Sequence, residues 1–193
     1  MRGAWSILAK KLTQAQIRKA LSAFSKAELI DIICKLCKSS KESADQVNLM
    51  LGNDGFVDDV LEETKRKVHN QFFTKRGMGR LSLSKAKSDI AAFKKICNDP
   101  AKLIDLQLYY VECGIEFTNA YGDISESFYN SMGGMYEKVV NSLIESRDVD
   151  MIRRFEPRLS KAVDDTEYIG WGFGDWLAEC YHELKTAIGD EEE

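Results

Sequence analysis

Apolar residues recur at three- and four-residue steps along most of the chain, a pattern that predicts an all-helical protein. The clearest part runs from 98 to 146, where two apolar stripes follow one another. The first consists of Leu103, Leu106, Tyr110, Cys113 or Gly114, Phe117 and Tyr121. The second consists of Phe128, Met132, Met135, Tyr136, Val139, Leu143 and Ile144. Two long amphipathic helices joined this closely are expected to fold back on each other as a central antiparallel hairpin over 99–146.

Start and stop signals bound the two helices of this hairpin. Asp99 can cap the first helix, and Pro100 suits its first position, where no N–H donor is needed. Gly122 is expected to end that helix in the left-handed conformation. Asp123 then starts the second helix, with Glu126 three residues later in an acidic variant of the capping box.

Shorter helices are predicted before the hairpin. Thr13 with Gln16 and Ser25 with Glu28 form two capping-box patterns, each ahead of a short amphipathic helix. A third helix is expected over 41–51, where a glycine ends it.

A longer fourth helix is expected over 56–73. Gly77 and Gly79 then open a loop, after which Ser84 or Ser82 can cap a fifth helix.

Beyond the hairpin, Asp148 is expected to cap another helix, and Pro157 begins or kinks the stretch that follows. The glycine-aromatic run over 169–174 interrupts helical periodicity, and Asp175 restarts a last helix. The acidic residues 190–193 are expected to form a frayed tail. The prediction is therefore an all-α bundle of about eight or nine helices.

The chain of 193 residues, with only 2 prolines, is interpreted as a single all-helical domain spanning 1–193. No clean internal repeat is visible, although helix pairs of about 40 residues leave a helical solenoid possible. The domain comprises short N-terminal helices over 1–52, a basic helix-loop-helix over 53–98, the central hairpin over 99–146, C-terminal helices with the glycine-aromatic loop over 147–189, and the acidic tail over 190–193.

Composition and cysteine usage indicate a cytoplasmic protein. Hydrophobic residues make up 44% and charged residues 30% of the chain, and no apolar run approaches the roughly 18 residues that a membrane helix needs. The apolar patch near the N-terminus is too short for a signal peptide. The five cysteines are odd in number and scattered, which favours reduced thiols over a disulfide framework. They are Cys34, Cys37, Cys97, Cys113 and Cys180.

Charge is distributed unevenly. Residues 1–102 carry a net charge of +9 and residues 103–193 a net charge of −13. One stretch without any acidic residue holds eight cations: Lys65, Arg66, Lys67, Lys75, Arg76, Arg80, Lys85 and Lys87. Three interpretations stay open: pairing with the acidic half of the same chain or of a second copy, binding of an anionic partner such as nucleic acid, and simple solvation.

No complete catalytic, metal or cofactor motif is present, so the sequence predicts no catalytic residue, no metal and no cofactor. Cys34 and Cys37 have the spacing of a zinc pair, but no second pair completes four ligands. Glu179 and His182 match one Glu-x-x-His step of a di-iron bundle, and the second step is missing. An enzyme of unrecognised type would bring four polar side chains around one pocket: Glu112, Glu116, Asn119 and His182.

Six aromatic residues are candidates either for packing or for a binding pocket. They are Trp171, Phe173, Trp176, Tyr109, Tyr110 and Tyr121. Gly133 and Gly134, inside a predicted helix, cost roughly 1 kcal/mol each relative to alanine, which indicates close approach of another helix, or a kink or ligand contact.

The run from Leu81 to Ser142, together with the later IGWGFGDWL segment, resembles a family of uncharacterised bacterial helical proteins catalogued as a domain of unknown function. The resemblance covers roughly Val57 to Leu184, and its most specific parts are Asp99-Pro100, LYYVECGIEFTNAYGD, FYNSM and IGWGF. It implies an all-helical fold and no particular activity or site.

These observations favour a non-enzymatic helical interaction module that binds a protein partner or itself, with no membrane association. It would use an apolar groove or its oppositely charged faces. The alternatives are a nucleic-acid-associated protein that uses the basic stretch 65–87, and an enzyme of unrecognised type.

Overall fold

A computed structural model describes residues 11–52, 55–75 and 77–189, except for the side chain of Ile188. The chain divides into two compact units, 1–52 and 53–193, which are described in turn. The organisation as a single domain stays a prediction. The expectations for the first ten residues, Arg76 and the acidic tail lie outside the described residues, as does the turn that the Asn53-Asp54 pair predicts.

The first unit contains three short helices, α1 (Gln14–Leu21), α2 (Lys26–Ser39) and α3 (Lys41–Met50), of which α2 and α3 pack together. Both predicted capping boxes are confirmed. The Thr13 and Ser25 hydroxyls accept from the backbone N–H groups three residues later, and the side chains of Gln16 and Glu28 accept in return. No apolar side chain is buried within 11–52.

The second unit contains a short β-hairpin and six further helices. The elements are α4 (Phe56–Phe72), β1 (Phe73–Thr74), β2 (Gly77–Met78), α5 (Leu83–Ile96), α6 (Pro100–Tyr121), α7 (Glu126–Ser146), α8 (Val149–Asp164) and α9 (Phe173–Gly189). The strands pair antiparallel, with Phe73 opposite Met78. The predicted all-α bundle is confirmed, since the described residues form nine α-helices and one two-residue strand pair. None of these helices has an apolar stretch long enough to cross a bilayer.

The predicted central hairpin is formed by α6 and α7. The helices α4, α5 and α8 all pack against α6, and α9 packs against both α7 and α8. Phe72, at the end of α4, packs against both helices of the central hairpin. Its ring contacts those of Tyr110, Phe117 and Phe128 at centroid distances of 5.6, 6.3 and 6.4 Å. The core therefore lies around the middle and the C-terminal half of α6.

Three helices of the second unit run in the same direction, α4, α6 and α8. Near the start of α6, Lys102 pairs with Asp58 of α4. Near its end, the ring of Tyr121 lies 6.3 Å from that of Phe73, directly after α4. The side chain of Asn119 donates to the carbonyl of residue 165, directly after α8. The β-hairpin, the α6–α7 turn and the α8–α9 loop therefore meet at one end of the bundle.

The start of α7 differs from the expectation. Ser125 is the capping residue, because its hydroxyl accepts from the N–H of Phe128 at 3.3 Å. The Asp123 carboxylate instead accepts from the Tyr129 hydroxyl at 2.9 Å. Gly122 has the expected positive φ of 86°, but its ψ of −174° lies outside the left-handed helical region.

Two further helix boundaries differ. Pro157 neither begins a new helix nor ends one, because α8 continues through it from its confirmed cap at Asp148. The last helix begins at Phe173, two residues before the expected Asp175. Ser82 occupies the predicted cap position of α5, without a side-chain hydrogen bond to the helix.

Candidate functional site

Of the seven cations of the basic stretch that lie in the described residues, three form ion pairs there. Lys65 pairs with Glu62 at 3.2 Å and with Asp105, in the acidic half of the chain, at 2.8 Å. Lys67 and Lys85 pair with carboxylates four residues away on their own helices. Within the described ranges, four exposed cations have no ion pair: Arg66, Lys75, Arg80 and Lys87. Arg76 lies outside those ranges.

A charged network ties α4, α6 and α8 together around Arg158. Its guanidinium donates to both carboxylate oxygens of Glu112 at 2.7 Å and to Asp105 at 2.6 Å. Burial alone would raise the pKa of Asp105, but the hydrogen bonds and charges of Lys65 and Arg158 outweigh it and hold that pKa below its ordinary value. The network therefore connects the three helices, and the Arg158 guanidinium is hydrogen-bonded to two carboxylates of α6.

A groove of about 540 Å³ runs between α6 and α8 and is lined by three of the four polar side chains that an enzyme would use, Glu112, Glu116 and Asn119. His182 is exposed on α9 and does not line it. The cations of the groove are already paired, Arg158 as above and Lys161 with Asp165. Carboxylates thus engage both cations, whereas Glu116 lines the groove as an exposed carboxylate without an ion pair in the described residues.

The six aromatic candidates occupy three different environments. Tyr110 and Phe173 are buried in the core, whereas Tyr109 and Trp176 are half-buried. Tyr121 and Trp171 are exposed. Trp171 has a φ of 65°, a conformation that costs a residue with a Cβ of the order of 1 kcal/mol or more. The six therefore do not form one pocket, and Trp171 faces solvent from a strained backbone.

A second cavity, of about 570 Å³, lies beside Trp171 in the α8–α9 loop. It is lined by Val163, Asp164, Thr166, Glu167, Ile169, Gly172, Gly174 and Asp175. Three of these residues carry carboxylates and none carries a positive charge. The cavity therefore favours a cationic group over an anionic one.

Exposed apolar side chains gather at one end of the second unit. In its described part, the large apolar residues that remain exposed are Met78, Tyr121, Tyr168 and Trp171. Met78 belongs to the β-hairpin, which lies against Tyr121. Tyr168 lies two residues before Gly170 and Trp171 directly after it, and Gly170 lies against Asp123 in the α6–α7 turn. These four residues are called the end face below.

The first unit carries a second set of exposed apolar residues. Nine large apolar side chains are exposed there: Leu12, Ile17, Leu21, Phe24, Ile30, Ile33, Leu36, Met50 and Leu51. Ile30, Ile33, Cys34 and Cys37 follow one another at helical spacing along α2, where the two isoleucines and Cys34 are exposed and Cys37 is half-buried. Residues 11–52, the described part of the first unit, are called the apolar segment below.

Sequence reasoning missed Met78, Tyr168 and the exposed face of α2. Periodicity marks Ile33 and Leu36 as apolar-face residues, but it does not tell which apolar face finds a partner. For Tyr168, the only available signal was its place beside the glycine-aromatic run.

The described residues are mostly helical, each of the two units has an exposed apolar surface, and no group of three or more of the described side chains is suited to a metal ion. The chain belongs to the family of unknown function DUF6155, whose model matches residues 12–176. The resemblance seen in the sequence covered 57–184, whereas the family match begins at residue 12, so α1–α3 are part of the family's common sequence. No curated protein and no solved structure matches the chain.

Proposed function

We propose that the protein is a non-enzymatic helical interaction module whose apolar segment binds a protein partner. One observation carries this proposal: the apolar segment exposes nine large apolar side chains and buries none. Helices of 8, 14 and 10 residues are marginal in water, because most helical stability in proteins comes from packing an apolar face. A partner that covers this face supplies the missing packing.

The exposed side of α2 has the form of a helix that lies in a groove. Ile30, Ile33 and Cys37 recur at the spacing by which amphipathic helices anchor in hydrophobic grooves. The two capping boxes hold α1 and α2 in helical form ahead of binding, which lowers the ordering cost of association.

A second candidate is a nucleic-acid-associated function, which is favoured by the four exposed cations of the basic stretch that have no ion pair within the described residues. It predicts that the protein binds a polyanion, and that the logarithm of the binding constant falls linearly with the logarithm of the salt concentration. It also predicts loss of that binding when Lys75 and Arg80 are reversed to glutamate.

A location in the bacterial cytoplasm is part of the proposal. The unpaired state of all five thiols supports it, because free cysteines persist in reducing compartments. The bacterial origin rests on the resemblance of the sequence.

The test places a photo-crosslinking residue at position 33 of the full chain and irradiates it in cells. We expect a covalent product with a separate protein molecule. A matched probe at Lys38, exposed on the same helix, should give little of it. Crosslinks confined to residues 53–193 of the same chain would contradict the proposal, because the apolar segment would then be covered by its own protein.

A further inference from the structure

The end face combines exposed apolar side chains with two charged borders of opposite sign. On the β-hairpin side, Lys75 and Arg80 are exposed and have no ion pair within the described residues. On the other side, the end of α8, the α8–α9 loop and the first turn of α9 carry four carboxylates, of which Asp165 pairs with Lys161. The α6–α7 turn lies between the two borders, because Tyr121 contacts the hairpin and Asp123 contacts the α8–α9 loop.

We propose that the end face is a self-association surface, on which a second copy of the chain binds with two-fold symmetry. A two-fold axis through the α6–α7 turn brings the basic hairpin of each copy opposite the acidic loop of the other. Each copy then provides one cationic and one anionic border, so both contacts are favourable at once. The symmetry closes after two copies, and the expected assembly is a dimer rather than a filament.

The chemistry of the two borders supports this occupant over an unrelated apolar partner. The cavity of about 570 Å³ beside Trp171 has room for a long side chain, and its lining carboxylates Asp164 and Glu167 favour a guanidinium or ammonium group. Exposed aromatic rings such as those of Tyr168 and Trp171 attract cations and thioethers, and the hairpin carries both in Arg80 and Met78. The same chain thus contains both halves of a complementary surface.

Backbone geometry points to the same surface. Trp171 keeps a φ of 65° while 63% of its side chain is exposed, so burial within the chain does not compensate the strain. Tyr168 is 92% exposed. Two large aromatic side chains held in solvent at one site are typical of the centre of an interface, where such residues contribute most of the binding energy.

This inference is independent of the proposal for the apolar segment, because the end face lies within the second unit. A variant with Ile30→Glu and Ile33→Glu in α2 should leave the dimer unchanged. Loss of partner binding and loss of the dimer are therefore separate results.

The experiment exchanges charges between the two borders in the full chain. Variant A carries Lys75→Glu and Arg80→Glu, and variant B carries Asp164→Lys and Glu167→Lys. All four residues are exposed, and none belongs to the Arg158 network. Mass is measured by sedimentation at low and high salt, and the thermal unfolding midpoint of each variant checks that it folds.

We expect the wild type to be a dimer at low salt. Each variant alone should have a dimer dissociation constant at least about 100-fold larger, because like charges then face each other. An equal mixture of A and B should form the dimer again, as should one chain with all four substitutions. A monomeric wild type would overturn the proposal, and so would variants that dimerise normally or a mixture that stays monomeric. If a variant fails to fold, Lys75→Gln with Arg80→Gln replaces A, and Asp164→Asn with Glu167→Gln replaces B, each with a weaker dimer expected.

Discussion

Gly133 of α7 lies directly beneath the indole ring of Trp176 on α9, so closely that a Cβ at this position would overlap the ring. The neighbouring Gly134 is exposed and has no atom within 4 Å of the place where its Cβ would lie. The expected close approach of another helix is therefore confirmed for Gly133 and not for Gly134. The two glycines form a matched pair for mutagenesis.

We expect Gly133→Ala to destabilise the protein by about 1–3 kcal/mol, because the added methyl group forces α9 or the Trp176 ring to move. Gly134→Ala should instead stabilise it by up to about 1 kcal/mol, since alanine is the better helix former at an unobstructed position. Urea unfolding followed by circular dichroism measures both. Equal effects of the two substitutions would contradict the assigned packing.

The Arg158 network predicts a second difference between related cations. Arg158→Lys keeps the charge but loses the two-pronged contact with Glu112, so we expect a loss of about 1–2 kcal/mol for a side chain that is 32% exposed. The control is Lys161→Met, which removes an exposed pair within one helix and should cost clearly less than Arg158→Lys. Both free energies of unfolding come from denaturant titration at low salt. An Arg158→Lys variant as stable as the wild type would contradict a role for the fork geometry.

Acidification should destabilise the protein through Asp105. Since the folded state holds the pKa of Asp105 below its ordinary value of 3.8, the ionised carboxylate stabilises the fold above about that pH. This contribution is lost as the pH falls through the lower pKa of the folded state. The unfolding midpoint of the wild type should decline from pH 6 to pH 2. The midpoint of the Asp105→Asn variant should decline less steeply over the same range. An identical slope in the variant would exclude Asp105 as a source of the decline.

The helices of the fold could be predicted from sequence because their signals are local. The capping boxes at Thr13 and Ser25 and the cap at Asp148 each depend on residues a turn apart, and the structure contains all three. The start of α7 could not be predicted in the same way. Asp123 and Ser125 are both good capping residues, and the choice depends on how the turn folds, since the Tyr129 hydroxyl, six residues further on, donates to Asp123.

The candidate surfaces were less predictable, because exposure is a property of the assembled chain. No local sequence signal marks Arg158, since its partners Glu112 and Asp105 lie 46 and 53 residues away. The position of Trp171 was noted from its neighbouring glycines, but a positive φ and an exposed ring depend on how α8 and α9 are joined. The charge counts show a basic first half and an acidic second half of the chain, but they do not identify Lys65 and Asp105 as a pair.

Thiol reactivity separates the two units. Burial raises the pKa of Cys113 to about 12 and that of Cys180 to about 11, whereas Cys34 is exposed on α2. We therefore expect a maleimide at neutral pH to modify Cys34 first and the buried thiols only after denaturation. Mass spectrometry of peptides from the time course identifies the order. Early modification of Cys113 would contradict the packing of α6.

Trp171 offers the sharpest separation between stability and association. Trp171→Gly removes an exposed ring and places at φ 65° the residue that tolerates this conformation best. The relief of strain opposes the greater freedom of glycine in the unfolded chain, so the thermal midpoint should change little. The dimer proposed above should weaken at least about tenfold, because a large aromatic side chain is lost from its centre. Trp171→Asn, which also accepts a positive φ, should give the same pattern. A marked fall in the midpoint of both variants would show that Trp171 packs within its own chain, and an unchanged dimer would remove it from the interface.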